Sequence, residues 1–83
     1  MSRPVIVLYG RPGCCLCDAA LDVVRRVSRD IPLELEQRDI TEDDALHLAY
    51  LERIPVITID GEEALELEIR EDELRKRLTQ ADL

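Results

Sequence analysis

All three cysteines of this chain fall within four residues, at Cys14, Cys15 and Cys17. They stand between an apolar run that ends at Tyr9 and an amphipathic stretch that begins directly behind them. The intervening Gly10-Arg11-Pro12-Gly13 breaks the run with two glycines and a proline. A strand, a tight turn, clustered thiols and a helix start follow one another without a linker. That order places thiols beside unpaired backbone N–H groups and the positive end of a helix dipole, an environment that favours the thiolate.

With 83 residues the chain has room for one domain, 1–83, and one core. Its 46% hydrophobic content is enough for that core and is almost wholly aliphatic, since Tyr9 and Tyr50 are the only aromatics. A formal net charge of −8 argues against nucleic acid and against an anionic membrane surface. Thiols this close in sequence cannot staple distant segments, and the apolar run from Val5 to Tyr9 is too short to span a bilayer. A reducing cytoplasm is the expected compartment and a monomer the expected state.

The unbroken run Val5-Ile6-Val7-Leu8 predicts a strand buried on both faces, from Pro4 to Tyr9. From Cys15 to about Arg29, Leu16, Ala20, Val23, Val24 and Val27 form one helical stripe. Asp18 and Asp22 lie early in that helix and Arg25, Arg26 and Arg29 late, which complements its dipole. Leu33, Leu35 and Gln37 alternate with charged residues as a half-exposed strand running to about Ile40. Thr41 is placed to cap a short helix from Glu42 to Leu51, with Ala45, Leu46, Leu48 and Ala49 as its inner face. Val56 to Ile59 reads as a strand, Asp60-Gly61 as a hairpin turn, and Leu65, Leu67 and Ile69 as the inward residues of its antiparallel partner. Asp72 to Ala81 closes the pattern as a helix burying Leu74, Leu78 and Ala81. Its pairs Glu71/Arg75, Asp72/Lys76 and Glu73/Arg77 set acid before base at i,i+4. The order β-α-β-α-β-β-α gives an α/β fold with a four-stranded mixed sheet, parallel in its first βαβ unit.

Side chains three apart share a helix face, so Cys14 and Cys17 can meet across the first turn while Cys15 points away. Two chemistries use such a pair. In one, Cys14 at the helix start is the attacking thiolate and Cys17 resolves the mixed disulfide. In the other, the thiols hold a metal or an iron–sulfur cluster, alone or between two chains. A structural zinc would need a fourth ligand. His47, the only histidine, reads as a solvated residue on an acidic helix, and no metal is expected. A redox-silent binding module is the third class.

Val7 to Cys17 resembles the active-site segment of glutaredoxins, with Cys14 at the nucleophile position and Cys17 at the resolving one. Arg53-Ile54-Pro55-Val56-Ile57-Thr58-Ile59-Asp60-Gly61 resembles the glutaredoxin segment that carries a cis-proline. Spacing and element order agree across nearly the whole chain. The resemblance implies a thioredoxin-like, three-layer fold and a cis Ile54-Pro55 bond packed against Cys14. It also implies a substrate-binding set of Arg11, Gly13, Arg53, Ile54 and Pro55, in which the Ile54 backbone pairs with a peptide or with glutathione. The activity implied is thiol–disulfide exchange on protein or small-molecule disulfides with no required cofactor. Glutathione as co-substrate, or a thioredoxin-type reductase, would supply electrons. Two departures stand out. Cys15 and Leu16 replace the usual proline and aromatic, which adds a third thiol. The Gly-Gly-x-Asp segment that holds the γ-glutamyl end of glutathione has no counterpart, since Glu62 to Asp72 contains no glycine.

Overall fold

The computed structural model describes residues 3–80. Seven main elements follow in the predicted order: β1 (Val5–Gly10), α1 (Cys15–Ser28), β2 (Glu34–Asp39), α2 (Asp44–Tyr50), β3 (Val56–Ile59), β4 (Glu62–Glu66) and α3 (Glu71–Gln80). The sheet order is β2-β1-β3-β4, with β1 and β2 parallel and the other neighbours antiparallel. The fold is therefore the expected α/β arrangement around a four-stranded mixed sheet.

Alternation along β1 and β3 divides the molecule. Ile6, Leu8 and Ile57 face α1 and α3, where they join Ala20, Val23, Val24, Val27, Leu74 and Leu78 in one aliphatic core. In α1 the buried positions are Cys17, Ala20, Val23, Val24 and Val27. Leu16, assigned to that stripe from its spacing, is instead exposed. Cys17 sits one residue further round the helix and takes the inward position. Ala81, expected in the core of α3, lies outside the described residues. Of the three i,i+4 pairs expected on α3, only Glu71–Arg75 closes among the described residues, at 3.1 Å.

The region after β2 departs most from expectation. Asp39 caps a 3₁₀ turn over Ile40–Glu42 by accepting from the Thr41 N–H at 2.9 Å. The α2 cap is then Asp43, whose carboxylate accepts from the Ala45 and Leu46 N–H groups. Thr41 is not a cap, because a carboxylate on each side of it competes better for those donors. The later start changes which side of α2 faces inward. Leu46 and Tyr50 are half-buried, whereas Ala45, Leu48 and Ala49 are exposed.

The hairpin also shifts. Asp60 (φ 52°) and Gly61 (φ 88°) both take the left-handed region that a two-residue turn requires. Pairing therefore begins at once, Ile59 with Glu62, and β4 ends at Glu66. Leu67 leaves the strand at φ 66° and is exposed, and Ile69 reaches the core from the connection to α3. The strand is also bulged: Thr58 faces Glu63 but Ile57 faces Leu65, so Ala64 has no partner. On the face away from α1, Thr58 is buried with its hydroxyl unpartnered among the described residues.

Candidate active site

The thiols sit where β1 gives way to α1. Gly13 turns the chain at φ 77°, which a residue with a Cβ rarely adopts. Cys14 follows in extended conformation as the α1 N-cap, and its carbonyl accepts the first helical bond from the Asp18 N–H at 3.1 Å. Its Sγ occupies the place of a capping oxygen, accepting from the Cys17 N–H at 3.2 Å. Cys14 and Cys17 are joined as a disulfide with Cα atoms 5.2 Å apart. Cys15, pointing away as its position on the helix requires, is free and exposed.

The two bonded cysteines differ in burial. Cys14 is half-buried, while Cys17 is buried together with Ile40 and Ile54. Tyr9, Cys14, Leu46 and Tyr50 pack against that trio. Gly10 is what allows Cys17 to sit so deep. A Cβ on Gly10 would stand 2.9 Å from Cys17 Sγ, closer than packed atoms come. The spacing marked Gly10 as a turn former, but it ends β1 and its role is close approach. Arg11 is exposed and lines a cavity of about 340 Å³ on the Cys17 side, shared with Asp18, Arg38, Asp39 and Glu42. Two hydrogen bonds from Thr41, side chain first and backbone second, hold the Asp39 carboxyl below the usual aspartate range.

The other bank of the site is the turn between α2 and β3. The Ile54–Pro55 peptide is cis, and both residues are buried. The Arg53 and Ile54 N–H groups both donate to the Tyr50 carbonyl. On the far side, the Leu67 N–H donates to the Pro55 carbonyl at 2.8 Å and to that of Arg53 at 3.3 Å. The chain is thus gripped on each flank of Ile54.

Side chains repeat that grip. Arg53 Nε donates to Glu66 at 2.6 Å, and another guanidinium N–H donates to Glu63. The guanidinium lies 5.3 Å over the Tyr50 ring, and the Tyr50 hydroxyl donates to Glu63 at 3.3 Å. Tyr50 in turn packs against Tyr9, the rings tilted by 42° with centroids 5.0 Å apart. Glu66 and Glu63 raise the Arg53 guanidinium above its already high range, and Arg53 holds the Glu63 carboxyl below the glutamate range. Burial, then the Glu63 charge, raises the Tyr50 hydroxyl.

Sequence reasoning missed Tyr9, Tyr50, Glu63 and Glu66 as parts of this bank. The two glutamates are three apart, which in a regular strand sends them to opposite faces. The bulge at Ala64 restores them to one face, opposite Thr58 and Val56, and both reach one guanidinium. The Asp60-Gly61 turn was the available signal, because a two-residue loop fixes pairing from Glu62 onward. Nothing in the spacing announced the bulge.

Among known proteins, the model of the glutaredoxin-like domain (DUF836) matches residues 5–79. An uncharacterized protein of Mycobacterium bovis, and likewise one of Mycobacterium tuberculosis, is 29% identical over 80 residues, spanning 90% of this chain and 82% of its own. The solution NMR structure of protein Ne2328 from Nitrosomonas europaea superposes with a TM-score of 0.82 at 26% identity, covering 94% of each chain. An X-ray structure of a protein from X. campestris gives 0.78 at 32% identity over 90% of this chain and 96% of that one. A mutant thioredoxin from Halobacterium salinarum shares the fold, with a TM-score of 0.72 at 23% identity over 95% of this chain and 74% of that one. A thiol pair closed at a helix N-terminus on a thioredoxin-like sheet, matched across nearly all of its length, makes this chain a member of the glutaredoxin-like domain family.

Proposed function

We propose that the protein is a thiol–disulfide oxidoreductase in which Cys14 attacks and Cys17 resolves. The observation that carries this reading is the Cys14–Cys17 pair itself, closed across the first turn of α1 with Cys14 the more exposed residue. The Cys17 N–H aimed at Cys14 Sγ favours charge on that sulfur once the pair is reduced.

The cycle balances without a bound cofactor. The Cys14 thiolate attacks one sulfur of a substrate disulfide, forming a mixed disulfide and releasing one substrate thiolate. Cys17, as thiolate, then attacks Cys14 Sγ and expels the second. Two electrons pass to the substrate, and the protein is left with the Cys14–Cys17 bond. A dithiol reductant, or two monothiols such as glutathione, returns the electrons by the same exchange in reverse. Gly13 and the Ile54–Pro55 turn border the thiols and supply the surface on which a substrate chain would lie. Cys15, outside the pair, takes no step.

Equilibration in redox buffers, read by intact mass and peptide mapping, tests this. A reversible Cys14–Cys17 disulfide with Cys15 reduced is expected. Cys14→Ser should abolish turnover of hydroxyethyl disulfide, and Cys17→Ser, with no monothiol present, should arrest at a mixed disulfide on Cys14. Full activity in Cys14→Ser, or no reversible disulfide at any potential, would defeat the assignment.

A further inference from the structure

We propose that Arg53 is a specificity-determining residue held shut by Glu63 and Glu66, so that the site disfavours carboxylate-bearing disulfides. The proposal rests on the oxidoreductase reading and narrows its substrate class.

Arg53 stands two residues before Pro55 and directly before Ile54, which packs with Cys17. Its guanidinium is already occupied. Glu66 takes Nε, Glu63 takes a terminal N–H, and the Tyr50 ring covers one face. Two carboxylates against one guanidinium leave the group with net negative charge rather than positive. An incoming carboxylate must therefore displace a carboxylate that is covalently tethered, at high effective concentration, on the same hairpin. The arrangement is built by the fold, since only the bulge at Ala64 brings both glutamates to one side.

The opposite bank offers no substitute. Arg11 makes no ion pair among the described residues and Arg38 is paired with Glu36 at 2.9 Å, but the two cations line their cavity together with Asp18, Asp39 and Glu42. The net charge of −8 adds a repulsive field over the whole surface. A neutral or cationic disulfide meets neither obstacle. Opening the latch should convert Arg53 into an anion receptor without touching the thiols.

The test compares two probes on the full chain, glutathione disulfide as the anionic one and hydroxyethyl disulfide as the neutral one. The readout is the ratio of their kcat/KM values, which cancels any general loss of activity. In the E63A/E66A variant this ratio should rise roughly three- to tenfold, the span of one exposed charge-assisted contact. The gain should fade as salt is raised. An E34A/E73A variant makes the same change in net charge at exposed positions away from the latch and should gain much less. Adding Arg53→Ala to E63A/E66A should return the ratio to that control. E63Q/E66Q, which keeps side-chain volume, should move it in the same direction and serves if the alanine pair does not fold. Equal ratios in the latch and control variants would overturn the latch alone. Failure of the wild-type protein to turn over either disulfide would overturn the oxidoreductase reading, and the latch with it.

Discussion

The two faces of the sheet are built on different principles. Against α1 and α3 lies a continuous aliphatic core, with Ile6, Val24, Val27, Ile57 and Leu74 fully buried. On the α2 side no residue of the helix itself is buried. What holds that side is a small apolar cluster of Cys17, Ile40 and Ile54, a tilted pair of tyrosines, an arginine between two carboxylates, and backbone bonds that flank Ile54. The first face is held by non-directional burial alone, and the second adds directional, partly exposed contacts to a smaller buried cluster. Burial stabilises but does not aim; the polar contacts aim and stabilise little. The thiols sit at the seam, with Cys17 anchored in α1 and packed with Ile54 and Ile40.

Truncating one leucine on each side gives the sharpest contrast. Leu74→Ala should cost about 2–5 kcal/mol, because a fully buried α3 side chain leaves a cavity behind. Leu48→Ala, on a residue 87% exposed, should stay within about 0.5 kcal/mol. Urea midpoints at constant slope would measure both, and comparable losses would refute the division.

Gly10→Ala probes the seam. The new methyl would meet Cys17 Sγ at 2.9 Å and Cys17 Cβ at 3.1 Å, an overpacking of about 1–3 kcal/mol. The loss should be greater in the oxidised protein, where the bond fixes Cys17, than in the reduced one, where its side chain can rotate. Equal losses in the two forms would remove Gly10 from any role in seating the sulfur.

The smallest effect concerns the latch and acid. Arg53 depresses the folded-state pKa of Glu63, so the charged carboxylate favours the folded state. That contribution is fully present above the ordinary glutamate value of about 4.3 and is lost as pH falls through the lowered folded value. The melting-temperature gap between wild type and Glu63→Gln should be flat from about pH 8 to 5.5 and close below about pH 4. A gap that persists into strong acid would show that the pair matters by shape rather than charge.

How much the sequence disclosed follows the same division. The strand, turn, thiols and helix from Val5 to Ser28 were legible because each signal is local. Periodicity placed the core residues of α1 and α3 to within one position, Leu16 and Cys17 being the exchange. The α2 side was less legible. Two aspartates flanking Thr41 shifted the helix start, and with it the inward face. An unannounced bulge decided where Glu63 and Glu66 point. Arg53, assigned to substrate from its place in the chain, meets carboxylates that only the hairpin brings near. Contacts made across the sheet leave no period to read.

The opening strand carries a last consequence, for the order in which the molecule is made. Val5 exchanges two bonds with Asp60: its carbonyl accepts from the Asp60 N–H at 2.9 Å, and its N–H donates to the Asp60 carboxylate at 3.0 Å. β1 lies in the middle of the sheet, so its second neighbour, β3, is supplied by the later half of the chain. The thiols, only three apart, leave the ribosome together, roughly 2–8 s ahead of Ile54 and Pro55 at about 5–20 residues per second. Until then they have no second bank beside them. Only when Asp60 closes on Val5 does the nascent chain acquire that bank.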